Sequence, residues 1–342
     1  MTVLVTGGAG YIGSHMAWRL VDAGEAVCVI DDLSTGHRSA VPPRAAFERG
    51  DVGDGAFVRR LIRRRNVDAV VHFAGSIVVP DSIRDPLAYY RNNTCASRSL
   101  IEACVDEGVS AFIFSSTAAV YGNPEADVVD EDSPCRPVSP YGSSKLMTEQ
   151  MLRDTAAASA MRYVALRYFN VAGADPQGRT GQSSREATHL IKVACQAAMG
   201  LRDRVDIFGT DYPTPDGTGV RDYIHVADLV EAHVRALAYL RGGGASTILN
   251  CGYGHGYSVR EVLDTVRRVA GSSFPIREAP RRSGDSARIV ADGSRIRRVL
   301  GWRPLHDDLA EIVSDALNWE RSRLPLAPAS RPSAASIAAL SP

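Results

Sequence analysis

The sequence of 342 residues predicts an α/β fold, a doubly wound parallel sheet, and three observations carry that expectation. The β-branched run Thr2-Val3-Leu4-Val5-Thr6 stops in Gly7-Gly8-Ala9-Gly10-Tyr11-Ile12-Gly13 and passes into a helical stretch, Ser14 to Ala23. Asp31 stands at the end of a second strand-like run, Ala26 to Ile30, 18 residues beyond Gly13. Strand and helix patterns then alternate as far as Ser115, the order a parallel sheet with crossover helices requires.

Each element follows from its own residues. Glycines after the first strand let the backbone turn tightly and approach a pyrophosphate, whose charge meets the free N–H groups at the start of the next helix. The Asp31 carboxylate can accept both hydroxyls of an adenosine ribose and would repel a 2′-phosphate, so the expected cofactor is NAD and not NADP. A strand at Phe47 to Asp51 follows, then a helix near Gly55 to Arg65, a strand at Asp68 to His72, a long helix from about Pro86 to Glu107 and a strand at Ala111 to Ser115. Ligands in such sheets gather beyond the carboxyl ends of the strands. Those ends carry Asp51-Val52, His72-Phe73-Ala74-Gly75 and Ser115-Ser116-Thr117, the last setting a hydroxyl ahead of Tyr141. After a strand at Arg162 to Tyr168, Gly, Pro, Asp and Thr collect at 172–184 and 209–219 around a helix at Glu186 to Met199, as material inserted above the sheet to hold a substrate. Val220 to Val226, a helix at Ala227 to Leu240 and a strand at Thr247 to Cys251 are expected to return to the sheet. A helix at Ser258 to Ala270 and the segment Ala279 to Asp285 belong to the second layer. The expected division is a cofactor domain of 1–169 plus 220–251, a smaller C-terminal substrate-binding subdomain of 170–219 plus 252–321, and a disordered tail of 322–342 rich in Pro, Ala and Ser.

Composition excludes several classes of function. Acidic and basic residues balance at 39 each without a basic stripe interleaved with aromatics, so nucleic acid is not an expected partner. No apolar run reaches the roughly 18–20 residues of a membrane span. The N-terminus enters a strand without a charged leader, and a cytoplasmic protein is expected. Six cysteines with no C-x-x-C and eight histidines without ligand spacing predict free thiols and no structural metal.

The strongest chemical signal is Ser139-Pro140-Tyr141-Gly142-Ser143-Ser144-Lys145. Ser139 can cap a helix and Pro140 suits its first position. The i, i+4 spacing then puts Tyr141 and Lys145 on one face, where the ammonium favours the ionised phenol and makes Tyr141 a candidate base. Lys145 is one of two lysines among 39 basic residues, the other being Lys192. A compact ammonium with an adjustable pKa differs chemically from a guanidinium, which accounts for the exception.

The motifs TGGAGYIGSH (6–15), HFAG (72–75), YYRNN (89–93), FIFSSTAAVYG (112–122), SPYGSSK (139–145), LRYFN (166–170), FGTDYPTPDGTGVRDYIHV (208–226) and RRSGD (281–285) together resemble those of the UDP-galactose 4-epimerases, in the extended short-chain dehydrogenase/reductase superfamily of Rossmann-fold enzymes. The resemblance implies that Tyr141 takes the proton of a sugar 4-hydroxyl while hydride passes from C4 to a held NAD. The 4-ketose then turns over and is reduced on its other face. Thr117 would bond the same hydroxyl, and Lys145 would hold the nicotinamide ribose and depress the Tyr141 pKa. The implied cofactor contacts are Gly7, Gly10, Tyr11, Ile12, Gly13, Asp31, Ser34, Thr35, Gly36, Asp51, Val52, Phe73, Ala74, Asn92, Lys145 and Phe169. The implied UDP-sugar contacts are Thr117, Tyr141, Asn170, His189, Leu190, Phe208, Arg221, Tyr223, Arg282, Asp285 and Ile289. A homodimer is implied as well, through the Pro86–Glu107 and Tyr141–Ala158 helices.

Departures from the family pattern refine the expectation. Ile77 stands where well-known members place a lysine after HFAG, and His189 where others have Asn. Lys192, expected on the same helix face as His189, is a candidate contact to substrate phosphates or uridine, with plain surface placement as the alternative. Ile289 falls where members restricted to UDP-glucose and UDP-galactose carry Tyr and members accepting 2-acetamido sugars carry Ser or Cys, so weak activity on the latter is expected. Ala118 and Ala119 replace the Asp-Glu of related dehydratases, which argues against that chemistry. Other UDP-sugars (N-acetylhexosamine, glucuronate, pentose) and a non-catalytic NAD-binding regulator stay open as alternatives.

Overall fold

The computed structural model describes residues 1–184, 188–282 and 285–324. Its central sheet contains β1 Thr2–Thr6, β2 Val27–Asp31, β3 Ala46–Arg49, β4 Val67–His72, β5 Ala111–Ser115, β6 Arg162–Tyr168 and β7 Thr247–Cys251. The spatial order is β3-β2-β1-β4-β5-β6-β7, with every neighbouring pair parallel. The chain therefore winds outward from β1 in one direction and then outward from β4 in the other. The strand order reverses at β1 and β4, where such folds open a crevice at the carboxyl ends.

Alternate strand residues feed two cores. Val3, Val5, Val29, Val71 and Ile113 pack with Met16 and Leu20 of helix Tyr11–Asp22 and Leu229 of helix Val226–Arg241. Leu4, Ile30, Val70 and Phe112 pack on the other side with Leu61 of helix Gly55–Arg65, Leu100 of helix Ala96–Asp106 and Leu152 of helix Pro140–Ala158. Strands covered on both faces read as unbroken apolar runs, which is why they were legible. Each such side chain contributes about 1.5–3 kcal/mol on burial, so the strand ends are firm anchor points for a site.

Three expectations are corrected. The helix expected over Pro86–Glu107 changes character along its length. An Asp85-capped turn, Pro86–Tyr89, widens into π-helical turns at Tyr90–Cys95 before the regular helix Ala96–Asp106. Such widening rotates side chains relative to a regular helix, and it often marks functional sites. Secondly, Val220–Val226 does not return to the large sheet. Val220–Arg221 pairs with Tyr257–Ser258 and Arg288–Ala291, and Tyr223–His225 pairs with Asn170–Ala172. Asp222 between them explains the change of partner: its buried carboxylate accepts N–H bonds from Tyr253, Gly254 and Ala291 at 3.1, 3.1 and 3.3 Å and so fixes a turn into the upper layer. Thirdly, the last helix among the described residues, Leu309–Ser322, is capped by Asp308 and runs to the first residue of the expected tail. Residues 325–342 lie outside the described residues, as do Glu186 and Ala187 of the helix expected over Glu186–Met199, whose described part is Leu190–Ala198. Among the described residues no helix is long and apolar enough to cross a membrane.

Candidate active site

At the end of β1 the backbone closes into a cradle that admits no side chain. Gly7 has φ +66°, and a Cβ there would lie 2.7 Å from the Ala74 nitrogen. A Cβ at Gly13 would lie 2.3 Å from the Gly7 oxygen. Helix Tyr11–Asp22 starts after Gly10 with no side-chain cap and no acid in its first turn. Its leading N–H groups are open to an anion, the arrangement a dinucleotide diphosphate needs. At the end of β2 the Asp31 carboxylate accepts from Ala9 N at 2.9 Å and Leu33 N at 2.8 Å. Burial pushes its pKa up, while the two N–H bonds pull it down. One acid thus braces the glycine turn and keeps lone pairs for a ribose. Ser34 is tied to Asp32, and Asp51 accepts from Gly53 N at 2.8 Å. These residues fit NAD.

The catalytic corner lies at the ends of β4 and β5. Ser139 accepts from Gly142 N at 3.2 Å and caps helix Pro140–Ala158 as its sequence predicts. A Cβ on Gly142 would fall 2.5 Å from the Ala119 oxygen, so glycine lets the helix start press against the turn after Thr117. Lys145 is 4% exposed and donates to the Ser115 carbonyl at 3.0 Å, with Nζ 5.0 Å from the centre of the Phe114 ring. Burial lowers its pKa to about 8. Tyr141 moves the opposite way, to about 12, because burial outweighs the interaction with the Thr117 hydroxyl that pulls it down. The ammonium is engaged by β5, and burial dominates the direction in which the Tyr141 pKa moves.

Neighbouring residues that the sequence reading missed hold this corner. Asn93, brought inward by the π-helical turns, donates to Ser76 O and Ser144 Oγ, both at 3.0 Å, and accepts from Ser76 N at 2.7 Å. The Asn-Asn pair in a helical stretch was the available signal, and only its first member, Asn92, was selected. Glu149, four residues beyond Lys145, is 2% exposed and binds Arg167 and the Ser116 hydroxyl beside Thr117. Nothing in local sequence pairs residues 149 and 167.

A cleft of about 1360 Å³ joins the two regions. Its lining takes in Gly7, Gly10, Tyr11, Ile12, Gly13, Asp31, Ser34, Thr35, Gly36, Asp51, Val52, Phe73, Ala74, Asn92 and Phe169 on one side, and Thr117, Tyr141, Asn170, His189, Arg221, Asp285 and Ile289 on the other. Single-ligand pockets usually hold about 300–1,000 Å³, so this cleft has room for a dinucleotide and a second nucleotide end to end. Leu190 and Tyr223 line a small hollow that adjoins it at Asn170 and His189. Phe208 and Arg282 do not line the cleft; they stack on each other, the guanidinium carbon 3.7 Å from the ring centre. Among the described residues neither Arg221 nor Arg282 forms an ion pair, which leaves both charges for an anion. Lys192 is neither on the surface nor in the cleft. It is 5% exposed and bonded to Glu320 and to the Gln182 carbonyl.

Residues 3–252 match the NAD dependent epimerase/dehydratase family. The UDP-glucose 4-epimerase of Azospirillum brasilense is 59% identical over 320 residues, 94% of this chain and 92% of that protein. The structure of the Brucella ovis UDP-glucose 4-epimerase in complex with NAD aligns with a TM-score of 0.90 at 44% identity, covering 93% of this chain and 97% of the other. That of the UDP-Glc/GlcNAc 4-epimerase from Campylobacter jejuni gives 0.83 at 46% identity, covering 94% and 99%. With a fold, a cofactor cradle and a Tyr-x-x-x-Lys corner that agree with these similarities, the chain belongs to the NAD dependent epimerase/dehydratase family.

Proposed function

We infer that the protein interconverts UDP-glucose and UDP-galactose by reversible oxidation at the sugar C4. The observation that carries this reading is the single cleft in which a dinucleotide cradle meets Tyr141 and Thr117 and continues to Arg221, Asn170 and His189. When bound, NAD supplies a reversible acceptor for the C4 hydride. The N–H groups after Gly10 hold its diphosphate, Asp31 its adenosine ribose, and Asp51, Val52, Phe73, Ala74 and Asn92 flank it. Lys145 binds the second ribose.

Tyr141 takes the proton of the 4-hydroxyl and returns it after the ketose has turned. Burial raises the Tyr141 pKa, so a nearby positive charge that draws it down favours its action as a base. Lys145 is this chain's own source of that charge. Thr117 orients the hydroxyl. Arg221, on the cleft wall, neutralises the substrate diphosphate, since guanidinium forks suit paired phosphates, and Arg282, stacked on Phe208 outside that wall, would have to swing in to add a second charge. Asn170, His189, Leu190, Phe208, Tyr223 and Asp285 enclose the nucleotide, and Ile289 limits the volume in which the ketose rotates. Beside Thr117 the cleft is lined by Ala118 and Ala119, which cannot move a proton, and this favours epimerisation over dehydration.

The same reading divides the chain into a cofactor domain, 1–169 with 220–251, and a substrate subdomain, 170–219 with 252–321. It also makes the protein a cytoplasmic homodimer. Leu87 and Met147, 77% and 46% exposed on the two helical segments involved, supply apolar surface for that contact. Light scattering at monomer mass would contradict it. The test of function is turnover of UDP-galactose to UDP-glucose by purified protein, with a slow rise in absorbance near 340 nm on standing with substrate. No product and no absorbance change would instead support the non-catalytic regulator.

A further inference from the structure

We propose that Lys192, Glu320 and Gln182 form a positioning unit that presents His189 to the nucleotide end of the substrate as a hydrogen-bond donor in one fixed tautomer; this rests on reading the cleft as a UDP-sugar site. Lys192 donates to the Gln182 carbonyl at 2.6 Å and pairs with the Glu320 carboxylate, which also accepts from Gln196 Nε2 at 3.1 Å. Both charges are buried, at 5% and 6% exposure. Gln182 in turn places its side-chain nitrogen 2.7 Å from His189 Nδ1. An amide nitrogen can only donate, so Nδ1 carries the lone pair and the proton of the neutral ring sits on Nε2. Burial and the Lys192 charge both hold the His189 pKa below its ordinary value, which keeps the ring neutral.

The C-terminal helix Leu309–Ser322 holds this arrangement at two successive residues. Glu320 fixes the Gln182 carbonyl through Lys192. One residue earlier, Trp319 lies flat against Gly181, where a Cβ would fall 2.4 Å from its Cγ. A buried ion pair is a weak source of stability, because desolvation offsets most of the attraction. Its consequence here is positional: it pins the backbone whose side chain sets the His189 tautomer. Lys192, which the sequence singled out by rarity, thus acts through His189 and does not touch substrate.

The experiment is calorimetric titration of NAD-loaded protein with UDP, together with kcat and KM for UDP-galactose. Lys192→Met combined with Glu320→Gln, which removes both buried charges together, is expected to weaken UDP binding and raise KM about tenfold, the scale of one well-placed hydrogen bond, with kcat within about twofold. His189→Ala should show a similar loss, and adding the pair of substitutions to it should bring no more. Unchanged UDP affinity, or a full further loss on top of His189→Ala, overturns the proposal. If the paired variant lacks a cooperative melting transition, Gln182→Leu decides. It keeps the ion pair and backbone carbonyl but removes the donor to Nδ1, so it must reproduce the tenfold loss, and an unchanged affinity overturns the proposal. Failure of the underlying reading looks different: the unsubstituted protein would then bind no UDP and turn over no UDP-galactose.

Discussion

Replacing Arg167 by Met strips a buried carboxylate of its counter-charge. Arg167 donates to Glu149 from Nη2 at 2.6 Å and from Nε at 3.0 and 3.2 Å, and from Nη1 to the Tyr121 hydroxyl at 3.1 Å. Both partners are nearly inaccessible, at 4% and 2% exposure. After Arg167→Met the Glu149 carboxylate keeps one hydrogen bond, from Ser116 at 2.5 Å. Breaking a buried pair by removing one partner costs about 3–5 kcal/mol, a large share of the roughly 5–15 kcal/mol that hold a domain folded. Removing both charges, as Arg167→Met with Glu149→Met, leaves no unpaired ion, and Tyr121 retains its 2.6 Å bond to Asn250. The double variant should therefore be more stable than the single one. Urea unfolding at pH 7, followed by far-UV circular dichroism, measures both. An Arg167→Met protein within about 1 kcal/mol of the parent, or a double variant less stable than it, would refute the reasoning.

Three further outcomes are expected. Gly13→Ala drives a methyl group to 2.3 Å from the Gly7 oxygen, so the cradle must open and NAD affinity, read by fluorescence titration, should fall roughly a hundredfold. His15, His72 and His233 are held by burial at about 4, 3 and 4. Below their ordinary pKa near 6.5 the unfolded chain takes up protons that the folded one refuses. Stability is then lost as pH falls, by roughly 5 kcal/mol between pH 7 and pH 5 if the three act independently; equal urea midpoints at the two pH values would contradict this. Ile289, 8% exposed and packed in one cluster with Ala118 and Phe169, limits the sugar by volume. Ile289→Cys should raise kcat/KM for UDP-N-acetylglucosamine relative to UDP-glucose about ten- to a hundredfold, and Ile289→Tyr should abolish it, whereas an unmoved ratio removes Ile289 as the gate.

The parts of the fold visible in the sequence were those set by short-range physics. The apolar strand runs, the Ser139-Pro140 helix start and the glycine turn each depend on residues a few positions apart. Most site residues at strand ends were found for the same reason, since a parallel sheet brings its carboxyl ends to one edge. What escaped depends on long-range pairing. Lys192 read as a surface or substrate lysine because its partner Glu320 lies 128 residues away. Val220–His225 has the apolar look of a returning strand, yet the carboxylate of Asp222 recruits three N–H groups from elsewhere and turns the chain into the upper layer. The π-helical turns at Tyr90–Cys95 have no periodic signature, so Asn93 was passed over. The Tyr141–Lys145 spacing was legible, but the burial that raises the Tyr141 pKa and lowers that of Lys145 was not.

The central claim is that Tyr141 moves the proton of the sugar 4-hydroxyl within an NAD-loaded cleft. The most direct measurement is single-turnover conversion of UDP-galactose by the parent protein and by Tyr141→Phe, each checked for bound NAD and for UDP affinity. The account predicts that Tyr141→Phe keeps both ligands yet turns over about a hundredfold more slowly or worse. A Tyr141→Phe protein that converts UDP-galactose at the parent rate would contradict it.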